Sequence, residues 1–140
     1  MKSSESEHGD RTFTMIGVGS GVGAFAIFTA LGVYALETVT YGVIMGLFAG
    51  GGSVLSIPWW LRLSVVQNES DENVPFSEAV RRAGGDLTLS MFGVGLYLGA
   101  FAMFAVALIF TGPDPVVGLA VAVPIAVVAP YVGSTLVEIT

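Results

Sequence analysis

Four long apolar runs, at 14–36, 39–61, 87–110 and 115–137, constrain this chain more than any other feature. A helix needs about 20 predominantly apolar residues to cross the hydrocarbon core of a bilayer, and each run meets that length. Together they occupy about two thirds of the 140 residues, so the membrane part is most of the protein. Composition leads to the same class. Charged residues make up 11% of the chain, against roughly 25% in a soluble domain, too few to cover a water-facing surface. Hydrophobic residues make up 54% and the mean hydropathy is +0.81. The expected fold is an all-α integral membrane protein with four transmembrane helices and the lipid bilayer as its first partner. The first run is longer than the roughly 7–15-residue core of a signal peptide, which makes it a retained span.

The cations orient the spans. Lys2, Arg11, Arg62, Arg81 and Arg82 are all that the chain carries. With four spans, the polar tail 1–13, the central loop 62–86 and the C-terminus share one side, and all five cations fall there. The two opposite connections hold only Glu37 and Asp114. Lysine and arginine bias sets topology, so both termini are expected to be cytoplasmic in a multi-pass protein of the cell membrane. A dual-topology protein would need a weak bias, which this one lacks. Trp59 and Trp60 beside Arg62 read as interface anchors, where amphipathic rings hold a helix end. In the central loop, NESDEN (68–73) reads as solvated. VPFSEAVRRAGG (74–85) reads as a short interfacial helix, with Phe76, Ala79, Val80 and Ala83 on one face and Arg81 and Arg82 reaching lipid headgroups.

The chain also repeats itself. A shift of 76 residues lays GDRTFTMIGVGSGVGAFAIF (9–28) on GDLTLSMFGVGLYLGAFAMF (85–104), with 12 of 20 positions identical and no gap. The second and fourth runs align only loosely, Gly42 on Gly118 being the clear match. A duplicated two-span unit returns the chain to its starting side, so the expected arrangement is a 2+2 parallel internal repeat. The repeat also bears on a nucleotide reading of the first run. Gly19-x-Gly21-x-x-Ala24 fits the dinucleotide fingerprint and Glu37 stands near the place of a ribose-binding acid. In the second copy, however, Gly21 becomes Tyr97, and no β-α units surround either copy; nucleotide binding is therefore not expected. Both copies keep a four-spaced glycine pair, Gly19/Gly23 and Gly95/Gly99, followed by Ala-Phe-Ala. Such pairs let helix backbones approach closely, and Gly42, Gly46 and Gly50 form a comparable ladder. Asp10 and Asp86 match too, each just before an apolar helix, and are expected to cap it, with a paired ion or proton site as the alternative.

Little chemistry is available. There is no cysteine, which removes disulfides, thiolate metal sites and cysteine nucleophiles. No acid, base or histidine lies in the core of a span, and His8 is the only histidine. That counts against a proton-coupled pump, and it leaves neither a metal cluster nor a haem ligand, so no cofactor is expected. Ser53, Ser56, Ser90 and Ser134 have no base beside them, so no enzyme is expected. Tyr97 falls near mid-span, and its hydroxyl needs a partner within the bundle. A net charge of −6 excludes a basic nucleic-acid surface, and the acidic, lysine-poor composition points to a halophilic source.

Two functional readings follow. In the first, the chain is a non-enzymatic accessory, assembly or homo-oligomer-forming subunit of a larger membrane complex, acting through the small-residue faces. In the second it is a channel or facilitator for a small neutral or anionic solute. Gly50, Gly51, Gly52 and Ser53 would break the second span, while Pro124 and Pro130 interrupt the fourth at matching depth. Broken helices at corresponding places in two repeats are a pointer to a solute path.

Overall fold

A computed structural model describes residues 2–70, 74–110 and 112–140. Met1, Thr111 and the Asp71, Glu72 and Asn73 part of the loop read as solvated lie outside the described residues. The described chain is all helical: α1 (Lys2–Ala35), α2 (Val39–Glu69), α3 (Phe76–Ala83), α4 (Leu87–Ile109) and α5 (Pro115–Ile139). Four of these, all but α3, are long and apolar enough to cross a membrane. Within lipid a backbone has no water to bond, so an internally bonded helix is the form an isolated apolar run must take.

Helix ends follow local chemistry. Asp86 caps α4 by accepting a hydrogen bond from the Leu89 amide at 3.1 Å. Asp114 caps α5 in the same way, accepting from Val116 at 2.8 Å, and Pro115 opens that helix, where its missing N–H is not needed. Asp10 behaves differently from its sequence match Asp86. It is no cap, because the polar segment before the first span continues the helix back to Lys2. Its carboxylate instead pairs with Arg62 on α2 at 3.0 Å.

The long helices pack in the order α1, α2, α4, α5, with α2 and α4 as the inner pair. The core is small: Phe28, Tyr41, Met45, Ala49, Met103 and Ala122 are its centre. Tyr41, fully buried, donates its hydroxyl to the Met103 carbonyl at 2.7 Å, tying α2 to α4. α2 is helical without interruption through Gly50, Gly51, Gly52 and Pro58, and α5 through Pro124 and Pro130. The expected glycine-rich break is therefore absent. The glycines are used for approach instead. A Cβ on Gly50 would lie 2.8 Å from the Gly21 carbonyl oxygen of α1, and one on Gly52 would lie 2.5 Å from the Gly93 carbonyl oxygen of α4. Two positions apart on a helix face nearly opposite ways, so neighbours press on α2 from two sides. Gly51, between them, meets neither.

At the end of the bundle where α2 meets α4, α2 continues past Arg62 to Glu69 and receives α3. Ala79 of α3 packs with Trp59 and Leu63 of α2 in a buried cluster, and Phe76, Val80 and Ala83 lie against it. The apolar face of this short helix is thus occupied by protein, while Arg81 and Arg82 are exposed and face Glu78 on their own helix. The chain then turns sharply into α4 through Gly84 (φ 66°) and Gly85 (φ 80°), left-handed conformations that glycine adopts without a Cβ clash.

Candidate functional site

The glycines expected to pack helices divide into two groups. Gly95 and Gly99 abut α5: a Cβ on Gly95 would sit 2.7 Å from the Ala126 Cα, and one on Gly99 would sit 3.1 Å from the Ala122 carbonyl oxygen. Gly42 and Gly46 abut α1, with 2.7 Å to the Thr29 carbonyl oxygen and 2.8 Å to that of Phe25. Gly19 and Gly23 do not follow. A Cβ on either meets nothing within 4 Å, and α1 packs on α2 through Gly17, Gly21 and Gly32 instead. The difference is one of rotation: residues two apart lie about 160° apart around a helix, so the face that includes Gly17 and Gly21 turns Gly19 outward. The signal for this was present in the sequence, since Gly17 and Gly93 match in the two copies as well as Gly19 and Gly95, but a glycine pattern alone does not say which face meets a neighbour.

Gly19 and Gly23 belong instead to an outward ridge. Ala26 and Ala30 continue it at steps of three and four, and all four residues are exposed. Steps of three and four keep residues on one helix face. Large apolar residues flank the ridge, among them Met15, Ile16, Val22 and Ile27.

Beside this ridge a cleft of about 560 Å³ runs between α1, α2 and α4. Ser20, Gly23 and Ala24 line it from α1, Ser53, Ser56 and Trp60 from α2, and Tyr97 from α4. One end is bounded by an aromatic group: Tyr97 stands edge-on to Phe28 and Phe101, with ring centroids 5.9 and 5.3 Å away. Ser56 donates to the Gly52 carbonyl of its own helix at 2.7 Å. Ser20, Ser53 and Tyr97 have no hydrogen-bond partner among the described residues. The partner that Tyr97 was expected to find inside the bundle is thus missing. Tyr97 and Ser53 each stand out in the sequence for separate reasons, but nothing in their spacing brings them together with Ser20.

The other expected positions are dispersed. Of the candidate path residues, Gly50 and Gly52 are helix contacts, Gly51 faces outward, and Ser53 lines the cleft. Pro124 borders an apolar depression between α4 and α5, and Pro130 a separate one. Of the interface anchors, Trp60 is 46% exposed but Trp59 is only 2% exposed, turned into the cluster with Leu63. Arg62 is held by Asp10. No group of three or more metal-ligating side chains occurs among the described residues. No protein-family model matches the chain, and no curated protein or solved structure is significantly similar to it.

Proposed function

We propose that this chain is a non-enzymatic membrane subunit that acts through helix packing, as a homo-oligomer or within a larger membrane complex. The observation that carries the reading is the outward ridge of Gly19, Gly23, Ala26 and Ala30. Lipid tails pack well against large apolar side chains, so a row of small residues gains nothing from facing lipid. Against another helix the same row permits close backbone approach, where van der Waals contact drives association. The orientation that goes with this role is a cell-membrane protein with both termini cytoplasmic, supported by the gathering of all five cations on one side of the spans. A 2+2 parallel repeat, supported by the 12 identities between 9–28 and 85–104, would make the ridge a surface that the second copy uses inwardly, through Gly95 and Gly99, and the first offers to a partner.

The test is the mass of the particle purified in mild detergent. The 14.5 kDa chain is expected to run as an oligomer or with a co-purifying partner. A Gly19→Leu, Ala26→Leu variant, altered on the outward ridge and at no residue that lines the neighbouring cleft, is expected to run as a monomer with unchanged helicity. A wild-type protein that is strictly monomeric and partner-free would overturn the proposal.

A further inference from the structure

The geometry points to the cleft between α1, α2 and α4 as a binding site for a neutral, membrane-dissolved molecule with a carbonyl-bearing ring as its head, of the quinone class. Three observations converge on it. First, Ser53 is 4% exposed as a residue, and its hydroxyl, which bonds to no described residue, opens on the cleft. The next serine on the same face, Ser56, is instead bonded to a carbonyl of its own helix, which leaves the Ser53 hydroxyl open to a ligand in the cleft. Ser20 and Tyr97 add two more unpartnered hydroxyls to the same walls. Three free donors in an otherwise apolar cleft suit carbonyl oxygens, and a volume of about 560 Å³ lies within the range of small-molecule sites.

Second, no carboxylate, histidine, lysine or arginine lines the cleft among the described residues. Ser53 lies seven residues before Trp60, about 10 Å along the helix axis at helical rise. A phospholipid headgroup drawn that far below the interface would carry its charge into hydrocarbon with nothing to neutralise it, so the occupant is neutral. Third, the aromatic lining favours a planar head. Tyr97 is braced edge-on by Phe28 and Phe101, and Trp60 stands at the opposite end.

The experiment titrates decylubiquinone, a short-tailed quinone, into the detergent-solubilised full chain and follows tryptophan fluorescence, since Trp60 lines the cleft. Saturable quenching with one site per chain is expected. Tyr97→Phe keeps the ring and removes only the hydroxyl, and Ser53→Ala removes the second donor; each is expected to weaken the midpoint about fivefold, the size of one net hydrogen bond. Decanol, which has the tail without the ring, is expected not to displace the probe at equal concentration. Quenching that rises without saturation overturns the proposal, as does wild-type affinity in Tyr97→Phe or equal displacement by decanol. Helicity by circular dichroism establishes that each variant is folded, and Tyr97→Phe carries the test alone if Ser53→Ala does not fold. Neither residue is on the α1 ridge, so loss of quinone binding and loss of oligomerisation are separable results.

Discussion

Three consecutive residues, Gly50, Gly51 and Gly52, show how position decides what a glycine does. Each costs a helix about 1 kcal/mol relative to alanine. At Gly50 and Gly52 that cost is offset by backbones that could not come as close past a Cβ. At Gly51 nothing lies within 4 Å, so no packing offsets it. Gly51→Ala is therefore expected to stabilise the protein by about 0.5–1 kcal/mol, seen as a higher melting temperature in detergent. Gly52→Ala would press a methyl against the Gly93 carbonyl oxygen and the Tyr97 amide, fixed backbone atoms that cannot turn aside. It is expected to destabilise by about 1–3 kcal/mol, the usual size of overpacking. Equal melting temperatures for the two variants would contradict this placement of α4 against α2.

Among the elements, α3 illustrates how an amphipathic pattern leaves its partner open. Its face of Phe76, Ala79, Val80 and Ala83 would suit a lipid surface, but α2 extends beyond the span and covers it with Trp59, Leu63 and Val66. The 31 residues of α2 reach about 46 Å at helical rise, well past a hydrocarbon core of about 30 Å. Leu63 is 2% exposed at the centre of this contact. Leu63→Ala is expected to cost about 2–5 kcal/mol locally and to release α3 while leaving the spans in place. Amide hydrogen exchange checks it: faster exchange in 76–83 with unchanged protection in α4 is the expected result. The Asp10–Arg62 pair at the same end is partly solvated, with side chains 62% and 29% exposed, and pairs of that kind contribute little.

At the scale of the whole molecule, the outer faces of the helix row and the side of its termini govern how it sits in the membrane. A row of helices with α2 and α4 inside leaves α1 and α5 each with a broad outward face; Val116, Val123, Val127 and Val132 of α5 are exposed large residues, suited to lipid. The ridge on α1 is small instead, which is why assembly is placed there. Topology can be read directly because the chain has no cysteine. Single cysteines placed at Ser4 and Asn68 are expected to resist a membrane-impermeant thiol reagent applied to intact cells, whereas cysteines at Glu37 and Asp114 are expected to react. Labelling in the reverse pattern would invert the assigned orientation.

The sequence by itself determined the class, the span count and nearly where each span lies, because burial of apolar runs in lipid and internal backbone bonding depend on local composition alone. The cap at Asp86 was legible too, since a cap reaches only the next turn, but the same pattern did not reveal that at Asp10 the helix runs on to Lys2. Nor did the sequence determine which face of each helix meets which neighbour. Gly17 and Gly19 are equivalent as letters, and only the rotation of α1 against α2 made the first a contact and the second part of an outward ridge. The gathering of Ser20, Ser53 and Tyr97 is of the same kind. They lie 33 and 44 residues apart along the chain, and no local rule joins them; the packing of α1 and α4 on two sides of α2 does.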